Sequence, residues 1–285
     1  MDIALALGGG GVRGNAHLGV LRALEKEGCC IRAVAGTSAG GMTAAIYAAG
    51  HKPQEIIDAM KEVKQGDLYS FGRGPALLGL KGITQALRKF INEETFADLR
   101  IPCALTAVDI ESMQEIVLQE GRLLDAIMAT IAIPGIFPPQ EWGGRLLVDG
   151  GVLDPVPVEV ARCLAPGLPV VAVSLSPPPE KWSQLPALKF IPETPILKPI
   201  ARLRVAQAFD IFARSLEMGS FMLADTRMKL EKPDVIIRPQ VGDIGILDKV
   251  DIVEVAARGD AAVEEVLPQL HRVAGWRGKV RRWFT

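Results

Sequence analysis

The stretch IRAVAGTSAGGMTAAIYAAG (Ile31–Gly50) decides the fold. Ile31 to Ala35 is a mostly apolar run that reads as a buried strand, and it passes directly into GTSAGG. From Ala39 to Ala49 the chain reads as a helix, followed by Gly50 in the position that suits glycine just past a helix end. The same order occurs one step earlier. Ile3 to Leu7 reads as a strand ending in glycines, and Asn15 to Glu27 then places Leu18, Leu21 and Leu24 at helical spacing before Gly28. Strand, helix, strand, helix implies parallel pairing with right-handed crossovers.

Working outward, further strands are expected at Cys103 to Ile110, Glu115 to Gln119, Leu146 to Asp149, Val170 to Leu175 and Val235 to Arg238. The first two form a hairpin turning through Glu111, Ser112 and Met113. Helices are expected over Pro53 to Lys64, Thr84 to Asn92, Leu123 to Ile131, Val156 to Leu164, most of Pro199 to Leu230, and Ile252 to His271. Together these predict an α/β protein: a three-layer α/β/α fold around a mostly parallel central sheet, as one domain over residues 1–285. In such sheets functional groups gather at the carboxyl ends of strands, where both glycine-rich turns fall.

Composition narrows the function. The 285 residues carry a formal net charge of −1, which gives no global electrostatic drive toward nucleic acid. Cys29, Cys30, Cys103 and Cys163 lack zinc-ligand spacing, and the adjacent pair is a poor start for a disulfide framework. Reduced, mostly buried thiols in a cytoplasmic protein are the expectation. No secretory signal is visible. The uncharged stretch Ala33 to His51 approaches the length of a membrane span, but its glycines, with Thr37 and Ser38 among them, suit a strand, a tight turn and a helix better.

Four consecutive glycines, Gly8 to Gly11, cost folding entropy, so something must need bare backbone there. GGGVRG (Gly9–Gly14) satisfies the dinucleotide fingerprint G-x-G-x-x-G. A dinucleotide site also wants an acidic residue at the end of the second strand, and Gly36-Thr37-Ser38 supplies none. GTSAG (Gly36–Gly40) matches G-x-S-x-G at a strand-to-helix turn, which presents a serine hydroxyl at a helix amino terminus. The motif alone leaves two readings open: a nucleophile, or a tight turn with Ser38 as helix N-cap.

A base for Ser38 decides the kind of chemistry. A Ser-His-Asp triad of the α/β-hydrolase order needs a late histidine. His17 and His51 come early and His271 lies in the basic terminus, so structural or solvent-facing roles are expected for all three. A carboxylate held against the hydroxyl is the alternative. Asp149 in RLLVDGG (Arg145–Gly151) ends a strand before two glycines, although an aspartate in an ordinary turn is equally consistent with that pattern. With an ordinary pKa of about 4 it is a weak base for serine, so burial and geometry have to make up the difference. The glycine run would then supply backbone N–H groups to an oxyanion, with Arg13 adding charge or bracing the loop, although a surface arginine at a helix start is the bland alternative.

In this order GGGVRG, GTSAG and DGG resemble the patatin-like phospholipase family. ATIAIPGIFPP (Ala129–Pro139) resembles the family's apolar loop, and FADLRIPCALTAVDI (Phe96–Ile110) its central strand region. The resemblance covers most of residues 2–160. It implies a Ser–Asp dyad lipid acyl hydrolase of phospholipase or lysophospholipase type, working without metal, cofactor or histidine. By position, Ser38 is the nucleophile, Asp149 the base, Gly9, Gly10, Gly11 and Arg13 the oxyanion loop, and Gly36 and Gly40 the glycines of the nucleophile elbow. An acyltransferase using the same acyl-enzyme, or a non-catalytic lipid-binding module, are the alternatives.

Ile133, Ile136 and Phe137 are candidate walls of an acyl-binding site, or simple core. The proline-rich excursion of residues 176–199 is expected as a cap or as an ordered surface loop. In the tail, residues 271–285, five Lys and Arg side chains interleave with Trp276, Trp283 and Phe284. That composition suits peripheral contact with an anionic membrane; the same composition could contact RNA, though no nucleic-acid partner is expected, and many basic tails do nothing specific.

Overall fold

Strand β1 (Asp2–Leu7) divides the interior between two faces. Ile3, Leu5 and Leu7 enter the large core, and Ala4 and Ala6 enter a smaller one behind it. In the computed structural model the chain is described over residues 1–63, 70–71, 78–184 and 200–274.

Helix α1 (Ala16–Lys26) follows a short 3-10 turn at Gly11–Asn15, then come β2 (Cys30–Thr37), α2 (Ala39–Ala48) and α3 (Pro53–Lys61). A two-residue ribbon, β3 (Ser70–Phe71) with β4 (Leu78–Gly79), precedes α4 (Lys81–Leu87). The hairpin β5 (Cys103–Asp109) and β6 (Gln114–Leu118) turns where the sequence predicts, with Met113 at φ 56°. Then come α5 (Leu123–Thr130), β7 (Gln140–Trp142), β8 (Arg145–Asp149), α6 (Val158–Leu164) and β9 (Val170–Val173). Helix α7 (Ile200–Glu231), β10 (Val235–Ile237) and α8 (Ile252–Ala274) complete the chain.

The sheet order is β10-β9-β1-β2-β5-β8-β7, with β6 also on β5. The five strands from β10 to β5 are parallel, while β6 and β8 each pair antiparallel with β5 and β7 pairs antiparallel with β8. Helices α1, α2, α3, α5 and α8 pack on the face of Ile3, Leu5 and Leu7, and α6 with the carboxyl half of α7 packs on the other. The three layers therefore form as the alternating residues of β1 predict.

Three expectations change. The β7–β8 hairpin was not predicted, although Gly143-Gly144 is a two-residue turn signal; both glycines take positive φ, 56° and 80°, as a type I′ turn needs. The cysteines are free, but only Cys103 is buried; Cys29 is half-buried, and Cys30 and Cys163 are exposed on the surface. Helix α4 begins and ends several residues earlier than its apolar spacing suggests. Residues 185–199 and 275–285 lie outside the described residues, and so do most of the proline-rich excursion and the basic aromatic tail. Among the described residues no helix is long and apolar enough to cross a membrane, which agrees with a strand-turn-helix reading of residues 33–51.

Helices α1 and α8 cross at a glycine pair. A Cβ on Gly19 would stand 1.8 Å from the Ala256 carbonyl oxygen, and one on Gly259 2.0 Å from that of Ala16. Alanine in a helix interior ordinarily stabilises by about 1 kcal/mol relative to glycine. Here the backbones would have to separate, at a cost of about 1–3 kcal/mol for overpacking. Gly259→Ala is therefore expected to lower Tm by several degrees in a thermal melt, whereas the same change at exposed Gly219, which has open space around it, is expected to raise it.

Candidate active site

Ser38 lies between the last residue of β2 and the first of α2, with φ 55° and ψ −126°. A non-glycine residue in that region stores strain on the order of 1–3 kcal/mol, which persists only where the surroundings enforce it. They do so by close approach: a Cβ on Gly36 would meet the Gly40 carbonyl oxygen at 2.5 Å, and one on Gly40 would meet that of Leu7 at 2.2 Å. The Ser38 N–H donates to Thr130 Oγ1 at 2.9 Å, and Thr130 Oγ1 donates to the Thr106 carbonyl at 2.7 Å. The hydroxyl makes no capping bond to α2, so Ser38 is not serving as an N-cap. Its side chain is left to face the site.

Asp149 arrives from the opposite direction. Strand β6 pairs with β5 over Leu105–Asp109, so β2 (pairing at 103–106) and β8 (pairing at 107–109) must share the other edge of β5. There Thr37 pairs with Thr106 and Asp149 pairs with Ala107. Two strands of opposite direction thus end against each other, and Ser38 and Asp149 follow as a pair.

Asp149 is 4% exposed, and its Oδ1 accepts from the Gly151 N–H at 2.7 Å. Burial raises its pKa from 3.8 to about 6, against hydrogen bonding from Ser38 and the Gly151 N–H. No ionised group contributes to the shift. The Ser38 hydroxyl faces the carboxyl loosely, since no bond of strict geometry closes on the buried Oδ2. Loose bonds of this kind are common before substrate binds.

The glycine loop passes beside both. Its Gly9 N–H is committed to the Pro155 carbonyl at 3.0 Å, and Gly9 packs against Ser38. The Val12 N–H bonds the Ile246 carbonyl and the Arg13 N–H reaches back to Gly10 at 3.3 Å. The N–H groups of Gly10 and Gly11 have no partner among the described residues. Arg13 is buried rather than at the surface. Its Nε donates to the Ile244 carbonyl, and its guanidinium stands 2.8 Å from Glu217 on α7, an ion pair without full hydrogen-bond angles. It also lies 5.7 Å from the centre of the Phe221 ring. These contacts make Arg13 a brace.

No histidine lines either of the two cavities that meet at Ser38. His17 is fully buried with Nε2 2.7 Å from the Gly8 carbonyl, and burial pushes its pKa down to about 4, so it is neutral at pH 7 and its Nε2–H donates. His51 bonds the Phe90 carbonyl, and His271 is exposed on α8. Among the described residues no group of three or more acidic, histidine or cysteine side chains could hold a metal.

Ser38 separates two cavities. The larger, of about 520 Å³, is lined by Leu18, Met42, Ile46, Phe90, Ile133 and Phe137. The smaller, of about 100 Å³, holds Asp149, Gly10, Gly11 and Ile136, with Glu217 and Phe221 from α7. All three apolar residues singled out in the loop after α5 therefore line the site. The contribution of α7 was not foreseen: Glu217 and Phe221 sit in an ordinary helical pattern, and nothing in the sequence links them to residues near the amino terminus.

The chain is similar to several known proteins. An uncharacterized NTE family protein of Mycobacterium tuberculosis is 36% identical over 178 residues, 61% of this chain and 49% of that one. Lysophospholipase NTE1 of Mycosarcoma maydis is 34% identical over 170 residues, 56% of this chain and 9% of that protein. Mouse patatin-like phospholipase domain-containing protein 6 is 30% identical over 171 residues, 57% and 13% of the two. The chain thus matches about half the length of its mycobacterial relative and a small part of the other two. In fold it is similar to VipD from Legionella pneumophila, with a TM-score of 0.50 at 13% identity over 93% of this chain and 66% of that one. The family model described as patatin-like phospholipase matches residues 5–162, and the chain belongs to that family.

Proposed function

We propose that this protein hydrolyses acyl esters of lipids, with Ser38 as nucleophile and Asp149 as general base. One observation carries the proposal: a strained, uncapped serine stands between an apolar cavity and a chamber containing a buried carboxylate and two backbone N–H groups that have no partner among the described residues. The apolar cavity takes an acyl chain, its burial driven by the usual hydrophobic gain. The ester carbonyl then rests at Ser38 with its oxygen toward Gly10 and Gly11.

Asp149 accepts the hydroxyl proton as Oγ attacks the carbonyl carbon. The oxyanion takes hydrogen bonds from the Gly10 and Gly11 N–H groups, donors that are each worth about 100-fold to 1,000-fold in rate in such sites. Collapse expels the alcohol, which takes the proton from Asp149, and leaves an acyl-Ser38. Water, deprotonated by the same carboxylate, attacks the acyl carbon; the acid departs and the proton returns to Oγ. One residue can serve as base twice because it regains its carboxylate form in each half-reaction.

Ser38→Ala and Asp149→Asn are each expected to lower kcat for p-nitrophenyl acyl esters by about 1,000-fold or more, with unchanged far-ultraviolet circular dichroism. Equal rates in the three proteins would overturn the proposal.

The raised pKa gives a second expectation with a definite sign. The base works only as carboxylate, so kcat/KM falls as pH drops through about 6, rather than through the ordinary aspartate range near 4. A pH profile on a soluble ester reads this directly.

Stability runs the opposite way. The folded pKa lies above the unfolded one, so ionised Asp149 costs stability above about pH 6, and the cost disappears below about 4 where both states are protonated. Asp149→Asn is therefore expected to raise Tm at pH 7–8, with a gain that shrinks to nothing in melts near pH 4.

A further inference from the structure

Helix α7 begins well after residue 162, where the family match ends, yet it contacts both halves of the site. At Glu217 it pairs with Arg13, which directly follows the Gly10–Gly11–Val12 segment. Arg13 is buried and Glu217 is mostly so, with 3% and 14% of their side-chain surfaces exposed. Ten residues on, about 15 Å along the helix axis, Arg227 reaches the loop that carries Asp149. Its Nη1 donates to the Leu153 carbonyl at 3.2 Å, and its Nη2 lies 3.2 Å from the fully buried Asp154 carboxyl. Glu231 at 2.8 Å and Glu115 at 3.6 Å complete the surroundings of the guanidinium.

Both contacts reach the reacting groups through short bonded chains. The Arg13 N–H bonds the Gly10 carbonyl, which shares its peptide plane with the Gly11 N–H, so the pose of Arg13 sets the direction of the Gly11 donor. The N–H groups of Leu153 and Asp154 both bond the Gly150 carbonyl, one residue after Asp149. The Asp154 carbonyl also accepts from Thr37 Oγ1, next to Ser38. We infer that Glu217 and Arg227 are positioning residues: α7 acts as a crosspiece that holds the oxyanion loop at one point and the base loop at the other. This rests on the acyl-hydrolase reading above and adds to it the residues that hold the oxyanion loop and the base at their working separation.

Arginine is required at 227 because its planar fork serves a carbonyl and several carboxylates at once, whereas lysine keeps the charge but not the fork. Glutamate is required at 217 because a buried guanidinium without its counter-charge is left uncompensated. Misplacing either loop by about 1 Å is enough to cost up to about 100-fold in rate.

The test uses the full chain, with Glu217→Gln and Arg227→Lys compared with wild type. Active sites are titrated to completion with a serine-reactive fluorophosphonate, and kcat per titrated site is measured on a soluble p-nitrophenyl acyl ester across pH. Each variant is expected to titrate at the wild-type stoichiometry while kcat per site falls about 10-fold to 100-fold and KM changes little. Arg227→Lys, which retains the positive charge, is also expected to move the acid limb of the profile below about 6, because a loosened loop lets water reach Asp149. Should Glu217→Gln not fold, Glu217→Asp carries the same expectation at smaller size. Unchanged kcat per titrated site, with loss confined to the titratable fraction, would mean that α7 only supports the fold. A wild-type protein that neither labels nor turns over ester would remove the hydrolase reading and this inference with it, whereas an active wild type with indifferent variants removes this inference alone.

Discussion

On one edge of β5, Thr106 pairs with Thr37 at the end of β2 and Ala107 pairs with Asp149 at the end of β8. A parallel ladder gives way to an antiparallel one between adjacent residues, and the two incoming strands stop against each other. The candidate site depends on that meeting, since it brings Ser38 and Asp149 together. In a doubly wound sheet a serine at a strand end ordinarily waits for a base from a distant loop. In the proposed mechanism the base comes from the sheet itself, set by strand pairing as firmly as the serine is. No third residue is needed to orient it, as a histidine would need.

The same geometry explains how an aspartate can be basic enough. Ending on the inner edge of the sheet, under the loop after α5 and against the glycine run, Asp149 is nearly removed from water. Burial raises its pKa toward neutrality, and the Gly151 N–H limits the rise. Asp154, five residues on, shows what happens without that balance. It is buried as well, and burial raises its pKa; Glu115 and Glu231 push it further up, and only Arg227 opposes them. Two aspartates on one loop thus differ because one meets a backbone donor and a hydroxyl, and the other meets carboxylates.

Much of this was legible in the chain. The apolar runs of β1 and β2 end in glycines and lead into helices, so their order, direction and burial follow from periodicity alone. The G-x-S-x-G turn could be placed, and Asp149 could be nominated because two glycines after a strand-end acid let the backbone turn sharply beside another loop. The reversal of β8 was not legible: Arg145–Asp149 is too short to reveal its direction, and the Gly143-Gly144 turn that folds it back on β7 was passed over. The division of labour in the glycine loop was hidden too, since only three-dimensional bonding commits the Gly9 N–H and leaves those of Gly10 and Gly11 without a partner among the described residues. Arg13 read equally well as a surface charge, because its partner Glu217 lies far downstream on a helix whose surface is otherwise mixed.

A change of ladder type leaves backbone groups without strand partners, and buried ones must be satisfied in another way. Thr130 does this twice, donating to the Thr106 carbonyl and accepting from the Ser38 N–H. Thr37 donates to the Asp154 carbonyl, so the Thr106 hydroxyl supplies the proton in the bond between the two threonines. Three hydroxyls therefore close the bonding at the point where the strands meet. Each is short, buried and able both to give and to take a proton, which no aliphatic side chain of similar size can do. The strain at Ser38 is tolerated because its own N–H is fixed from α5 while the glycines on either side leave no room to relax. In this way the serine is held by its backbone alone, and its hydroxyl stays uncommitted for the carboxylate beside it.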